Sequence, residues 1–497
     1  MNSRILSEYF RTHKDGIDPS AVNFISQVEL MNEKSPEAVR TIIKELRDQR
    51  TYLKLIASEN FCSRAVQASM GNWFTDKYAE GVPEHRFYAG CDNVDEIESL
   101  ACRTACSLFG ADHAYVQPHS GADANLCAYW AILDNKVLTP YCIEAKVKNY
   151  NEMSREDWNN LRTLCRNQKL LSMDYYSGSH LTHGYRQNLS AHLFDCYYYK
   201  VNREGILDYD EIEKQAMEVK PLILLAGYSA YPGIINFRRM REIADRCGAV
   251  LMVDMAHFAG LVAGKVYTGD YNPVLWAHIV TTTTHKTLRG PRGGMILCKQ
   301  EFAESVDKGC PLVIGGPLPH VMTAKLIALK EAHTPEFRKY AASIVRNSKA
   351  LAAACMEQGL KVLTGGSENH LILVDVTPFG ITGRQAEKAL RTCGLTVNRN
   401  TIPGDINGPW YTSGIRVGVP AATTLGMGAG EMKKIAKMIY KILSNTVPKV
   451  NEQGLRSKSG ITMDDSFVQS MNKEVRELLD TFRLYPEIDP DFIEANL

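Results

Sequence analysis

A chain of 497 residues is long for one hydrophobic core and implies two or more domains. Its 57 basic and 56 acidic residues leave a formal net charge of +1, which excludes the global field expected of a nucleic-acid or anionic-membrane binder. At 45% hydrophobic and 23% charged residues, the composition is that of an ordinary globular protein.

Residues 1–52 read as an N-terminal helical arm. Pro36-Glu37 opens one helix, and Val39, Ile42, Ile43 and Leu46 follow at helical spacing. The stretch up to Gly16 carries Arg4, His13 and Lys14 but no apolar segment of a secretory signal. No apolar run approaches the ~20 residues that span a bilayer. The thirteen cysteines are scattered and odd in number, with no C-x-x-C pair, which argues for reduced thiols and against a disulfide frame or zinc site. The expectation is a cytoplasmic protein with no metal, no membrane contact and no nucleic-acid partner.

Between residues 53 and 320, short apolar strands alternate with amphipathic segments: 222–226 as strand, 237–247 as helix, 249–254 as strand. That rhythm predicts an α/β domain with a parallel sheet covered on both faces, and ligands collect beyond the carboxyl ends of such strands. Residues 138–170, rich in Lys, Arg, Asn and Glu, read as an inserted surface helix with flanking loops. A long helix is expected from Met322 to Tyr340, leading into a smaller C-terminal domain over 321–497. That domain has strands near 361–363 and 371–376, a polar surface loop over 447–465, and a last helix over 467–482 with Val468, Met471, Val475, Leu478, Leu479 and Phe482 on one face.

Two positions carry the chemistry. The β-branched run Thr281-Thr282-Thr283-Thr284 favours a strand, and His285-Lys286 follow it. The apolar run before it, Ala249 to Val253, ends in Asp254. A lysine after a strand is ordinarily a solvated terminus and a strand-end aspartate ordinarily caps a turn. An acid ending one buried strand and a lysine ending the next is also what pyridoxal phosphate (PLP) requires: the carboxylate holds the pyridinium proton and the amine forms the Schiff base.

Around this pair stand Ile56-Ala57-Ser58-Glu59-Asn60, Lys77-Tyr78-Ala79-Glu80-Gly81, Gln117-Pro118-His119-Ser120-Gly121 and His180-Leu181-Thr182-His183-Gly184. Ser229-Ala230-Tyr231, Asp254-Met255-Ala256-His257, Gly290-Pro291-Arg292-Gly293-Gly294, Gly315-Gly316-Pro317 and Thr412-Ser413-Gly414-Ile415-Arg416 complete the set. In identity and order, from Leu53 to Val419, these segments resemble serine hydroxymethyltransferase. The resemblance implies fold type I of the PLP-dependent transferases, with a mostly parallel seven-stranded sheet covered by helices in a large domain (53–320) and a smaller α+β domain (321–497). It implies reversible transfer of the hydroxymethyl group of L-serine to tetrahydrofolate, giving glycine and 5,10-methylenetetrahydrofolate, with tetrahydrofolate as cosubstrate.

The resemblance also implies roles. Lys286 and Asp254 act on the cofactor, His180 stacks on its ring, and Ser229 with His257 bonds its oxygen edge. Ser120, Gly121 and His285 take the phosphate, a task suited to glycine at a helix start. Gly315 and Gly316 would come to that site from the partner subunit of a homodimer or of a tetramer built from such dimers. Arg416 would grip the substrate carboxylate with its planar fork, with Ser58 close by. Glu80 would carry the proton, Tyr78 and Tyr88 would flank it, the Tyr78–Glu80 segment would come from the neighbouring subunit, and Asn400 would meet the pterin.

Three positions depart from the family. Ala122 stands where a second phosphate-binding serine is common, Phe87 replaces the first of paired tyrosines, and Tyr175-Tyr176 precede His180 in place of a smaller segment. The last two bear on folate and leave open an enzyme acting mainly as amino-acid racemase or aldolase. A catalytically silent scaffold, binding a partner through 138–170, is disfavoured because both Lys286 and Asp254 are present.

Overall fold

The computed structural model describes residues 4–14, 16–148, 150–450 and 452–497. Its centre is a seven-stranded sheet built from His113–Tyr115 (β1), Lys169–Met173 (β2), Asp195–Tyr199 (β3), Ile223–Gly227 (β4), Val250–Asp254 (β5), Ile279–Thr283 (β6) and Gly294–Cys298 (β7). The spatial order is β1-β7-β6-β5-β4-β2-β3. All pairings from β6 through β5, β4 and β2 to β3 are parallel, while β7 runs against both its neighbours. Every residue of β4 to β7 is buried, which is why these strands read as continuous apolar or threonine runs without alternation. Two apolar clusters form, one containing Leu224, Leu251, Val253 and Val280, the other containing Ile223, Leu225, Met252 and Ile279. Alternate residues of the same strands thus feed opposite faces.

A second sheet, Lys361–Val362 (β8), Leu371–Asp375 (β9), Asn398–Asn400 (β10) and Gly414–Gly418 (β11), is antiparallel in the order β8-β9-β11-β10. Leu53–Lys54 pairs with Leu395–Thr396, and the Gly418 N–H donates to the Leu55 carbonyl at 2.8 Å, so the chain after the arm first joins the C-terminal half.

The arm is three helices, Arg4–Thr12, Pro19–Asn32 and Pro36–Thr51; residues 1–3 and 15 of it lie outside the described residues. It buries Ile5, Ile25, Val39 and Ile43 against Ile488 and Ile493 near the C-terminus. Arg50 clamps this contact by donating to the carbonyls of Leu484 and Ile488 at 2.8 and 2.9 Å.

Three expectations are corrected. The helix expected from 322 to 340 is two, Pro319–Ala332 and Pro335–Glu357, because Pro335 has no N–H to continue the first and instead opens a new helix behind its Thr334 cap. The expected loop over 447–465 contains a hairpin of Val447–Val450 with Arg456–Thr462. Among its described residues the segment 138–170 holds two α-helices, Thr139–Ala145 and Arg155–Arg166, and its last two residues belong to β2, which is paired on both sides within the main sheet. Its entry is pinned at buried Asp134, which accepts from Ser305 at 2.6 Å and Lys308 at 3.1 Å.

Candidate active site

Parallel register places Asp254, the last residue of β5, opposite Thr281 in β6. Lys286 follows in the turn after β6, so both side chains leave the same carboxyl end of the sheet. The Asp254 carboxylate is buried and accepts from Asn125 Nδ2 and His183 Nε2, both at 2.9 Å, and from the Ala256 N–H at 2.9 Å. Burial alone would raise this carboxyl, but the hydrogen bond from His183, with the nearby His180 and the hydrogen bond from Asn125, holds it below the usual carboxylate range. Asp254 is therefore an anion at neutral pH. His180, His183 and Asp254 bring three possible ligand atoms within 4.8 Å of one another. Those of Asp254 and His183 are already joined by their own hydrogen bond.

The Lys286 amine lies 3.1 Å from Thr283 Oγ1. Burial, with the charges of Arg416 and Arg292 adding and Asp254 opposing, brings its pKa down to about 8. Its nucleophilic neutral form is then well populated near neutrality. In cofactor-free protein, capture of an aldehyde at Lys286 should rise about tenfold per pH unit up to about pH 8 and level above it. Stopped-flow absorbance checks this; a plateau reached only near the ordinary lysine value would contradict it.

Thr182 Oγ1 accepts from Asn125 Nδ2 at 2.8 Å and sits 2.7 Å from His180 Nδ1. The Thr182 N–H also points at that nitrogen, at 3.3 Å, so His180 Nδ1 accepts and Nε2 carries the proton. Burial, then His183, pulls the His180 pKa to about 4, which keeps the ring neutral. His183 receives the His180 N–H on Nδ1 and presents Nε2–H to Asp254.

Ser120 caps the helix Gly121–Leu133, its Oγ accepting from the Asp123 N–H at 3.1 Å. The free N–H groups of this first turn make an anion site beside β7. A Cβ on Gly294 would stand 2.1 Å from the Ser120 carbonyl, so only glycine lets β7 pass under the turn. His285 Nδ1 accepts from the Gly293 N–H at 3.5 Å, leaving Nε2–H as donor, and burial with Lys286 and Arg292 nearby lowers its pKa to about 3.

Arg416, in β11, donates through Nε to Asn398 Oδ1 at 2.9 Å and through Nη1 to the Ser229 carbonyl at 2.5 Å. Nη2 makes no hydrogen bond among the described residues. Burial lowers the guanidinium to about 10, so it stays charged at neutral pH, with Tyr175 opposing the shift. The Tyr175 ring meets that of Tyr185 at a tilt of 50°, centroids 4.7 Å apart. Ser58 lies in the turn three residues past Leu55, whose carbonyl is bonded to β11. Next to it Asn60 donates to the Lys286 carbonyl at 2.9 Å.

Tyr78, Glu80 and Tyr88 form an outward cluster: the Tyr88 hydroxyl donates to Glu80 at 3.1 Å, Tyr78 to Glu80 at 3.4 Å, and the two rings meet edge to face. Among the described residues no hydrogen bond or ring contact links this cluster to Lys286 or Arg416. Gly316 lies against the Tyr78 ring, and its carbonyl is 3.0 Å from His119 Nε2; Gly315 has φ +67°. Asn400 lies in β10 opposite Gly414, its amide on the Thr401 carbonyl. Ser229 contributes its backbone to Arg416, and His257 is bonded to His370 at 3.0 Å, not to an open face alone.

A family model described as serine hydroxymethyltransferase matches residues 31–141 and 138–439. A serine hydroxymethyltransferase of Treponema pallidum is 57% identical over 498 residues, covering 100% of this chain and 87% of that protein. One of Salinispora tropica is 54% identical (93% and 97% covered), and one of Chlamydia trachomatis 48% (98% and 98%). The chain belongs to the serine hydroxymethyltransferase family. The two matched pieces of the family model meet at 138–141, where the helical excursion off Asp134 begins.

The family is PLP-dependent and uses tetrahydrofolate as cosubstrate. The residues here fit that cofactor: an anionic carboxylate, a lysine with a depressed pKa, a neutral histidine, and a capped helix start under which only glycine fits. Asn125, His183, Thr281 and His370 belong to the site although the sequence did not single them out for roles. Asn125 is one helical turn past Gly121, and its Oδ1 accepts from Thr281 at 2.5 Å, a signal visible only as a polar residue in an apolar helix. His370 lies 113 positions from His257, and nothing in the sequence joins them.

Proposed function

We propose that this chain catalyses the family reaction, exchange of a hydroxymethyl group between L-serine and tetrahydrofolate, at the site formed by Lys286, Asp254 and Arg416. The observation that carries the reading is a depressed-pKa lysine and a buried, anionic aspartate at neighbouring strand ends, with a charged arginine on the facing sheet. When bound, PLP supplies an electron sink that weakens bonds to the amino acid's Cα.

The protein's residues do the rest. Asp254 holds a proton at the pyridine nitrogen, with Asn125 and His183 fixing its orientation. The Lys286 amine would hold the cofactor at its aldehyde carbon and would take or return protons at Cα. Ser120, Gly121 and neutral His285 would hold the phosphate, and His180 would face the ring. Arg416 orients the amino acid through its carboxylate, with Ser58 alongside. Glu80 moves the proton between the serine hydroxyl and the folate nitrogens, flanked by Tyr78 and Tyr88, and Asn400 binds the pterin. Residues 53–320 serve as the cofactor-binding unit and 321–497 as the smaller unit carrying Arg416.

Glu80 can serve this role if it works in a neighbouring subunit, so the reading includes a homodimer with shared sites. In its support, Trp73, Tyr78, Phe87 and Tyr88 are exposed, Trp73 at 90%, and Gly315-Gly316 adjoins them. Mixing inactive Lys286→Ala with inactive Glu80→Gln should then restore part of the activity after subunit exchange, because a hybrid dimer holds one site with both native groups. No recovery after verified exchange would mean that each subunit builds its own site.

Arg416→Ala should weaken serine and glycine binding by about 2–5 kcal/mol while leaving PLP bound, since only the amino acid offers a carboxylate. Titrations followed by absorbance separate the two affinities; an equal loss of both would overturn the role. The reaction itself is tested by serine cleavage with and without tetrahydrofolate, beside alanine racemisation, on one preparation. Racemisation without folate-dependent cleavage would replace this reading.

A further inference from the structure

Lys325 is among the largest fully buried side chains of the protein, 1% exposed. It lies on the helix Pro319–Ala332, which starts directly after Gly315-Gly316-Pro317. Among the described residues its ammonium has no carboxylate partner within ion-pair distance. It donates to three backbone carbonyls, of Val116 at 2.6 Å, Pro118 at 2.9 Å and Gly294 at 2.9 Å. Three donors meet three acceptors, so the group is fully satisfied.

Burying a cation against neutral carbonyls is expensive, and an apolar side chain of the same length would fill the space more cheaply. What the ammonium adds is a clamp. Val116 and Pro118 flank Gln117 in the segment that leads into Ser120 and the helix starting at Gly121, and Gly294 is the residue of β7 that crosses under Ser120. The Gly294 N–H also donates to the Pro118 carbonyl at 2.9 Å, so one lysine nitrogen ties together both strands of the crossing. Gln117 is gripped from its side-chain end, donating to Glu98 at 2.7 Å and to the Gly81 carbonyl at 2.8 Å. Gly293 leaves room for the lysine stem, since a Cβ there would stand 2.5 Å from Lys325 Cε. Nothing in the mechanism above uses Lys325.

We propose that Lys325 is a positioning residue for the phosphate cradle: by clamping the 116–118 segment to β7 it fixes the helix start whose N–H groups receive the anion. This rests on the reading that the site takes PLP. Burial brings the Lys325 pKa down to about 7, with Glu98 opposing the shift, so the desolvation cost is real and the fully protonated clamp is favoured on the acid side of neutrality.

The test compares two probes on the full-length protein freed of cofactor: PLP and phosphate-free pyridoxal, each titrated by tryptophan fluorescence. Both depend on Lys286 and Asp254, and only PLP depends on the cradle. In Lys325→Met the dissociation constant for PLP should rise at least about tenfold, against less than about twofold for pyridoxal. Equal loss for both probes, or no loss for either, would overturn the proposal. Should Lys325→Met fail to fold by circular dichroism, Gly293→Ala takes its place: it keeps the ammonium but crowds its stem, and the same differential is expected. Wild-type protein that binds neither probe would remove the PLP reading itself, whereas wild-type binding with an unchanged variant removes only the role of Lys325.

Discussion

Replacing Lys286 with alanine is expected to lower serine turnover by roughly 10⁴–10⁶-fold, the range seen when a covalent nucleophile is deleted. The fold should survive, because among the described residues the lysine amine makes one hydrogen bond, to Thr283, and no ion pair. Its backbone carbonyl, which accepts from Asn60, is retained in the variant. The variant should keep PLP affinity through Asp254 and the phosphate cradle but lose the covalent link. Borohydride reduction followed by mass spectrometry reads this directly: the wild type carries a phosphopyridoxyl group on the peptide holding Lys286 and the variant carries none. An adduct on a different lysine of the wild type would overturn the assignment. Lys325 is the control, since it also has a depressed pKa but spends all three protons on backbone carbonyls.

Glu80→Gln should lower tetrahydrofolate-dependent turnover by about 10²–10⁴-fold, the usual loss when a positioned acid–base group is removed. Cofactor binding should be unchanged, and alanine racemisation much less affected, because racemisation needs proton movement only at Cα. Glutamine keeps the size and shape of the side chain and one acceptor oxygen for the two tyrosines, while its other oxygen becomes an N–H donor, so the variant removes the proton-carrying carboxyl with little change in packing. If both activities fall together with PLP still bound, Glu80 works at Cα, and the racemase reading gains at the expense of folate-side proton transfer.

Much of this was readable from local pattern. The helix over 237–247 and the strands near 223–227 and 250–254 were legible because burial and capping are encoded within a few residues: Asn236 caps that helix, Gly248 ends it, and the strands are apolar throughout. The β5 and β6 strand ends followed from the same logic, since parallel strands buried on both faces deliver their terminal polar residues to one edge. Local pattern failed where the decisive contact was distant or conditional. The 322–340 periodicity runs through Pro335 unchanged, but the backbone cannot. The polar stretch 447–465 looked like a loop because a hairpin exposed on its surface needs few apolar residues.

By itself the sequence determined the family, the cofactor chemistry it implies, the Asp254–Lys286 pair and the direction in which both point, because these rest on short motifs and on strand burial. Only the tertiary structure decided what tunes them. It set Asn125, His183 and Thr281 around the acid, opposed Arg416 to Ser229 and Tyr175, paired His257 with His370, and placed Lys325 under the segment leading into Ser120. It also separated Glu80, Tyr78 and Tyr88 from the lysine of their own chain. The physical reason is that desolvation and hydrogen bonding act between neighbours in space, over a few ångströms, and residues hundreds of positions apart become neighbours only when the core has closed.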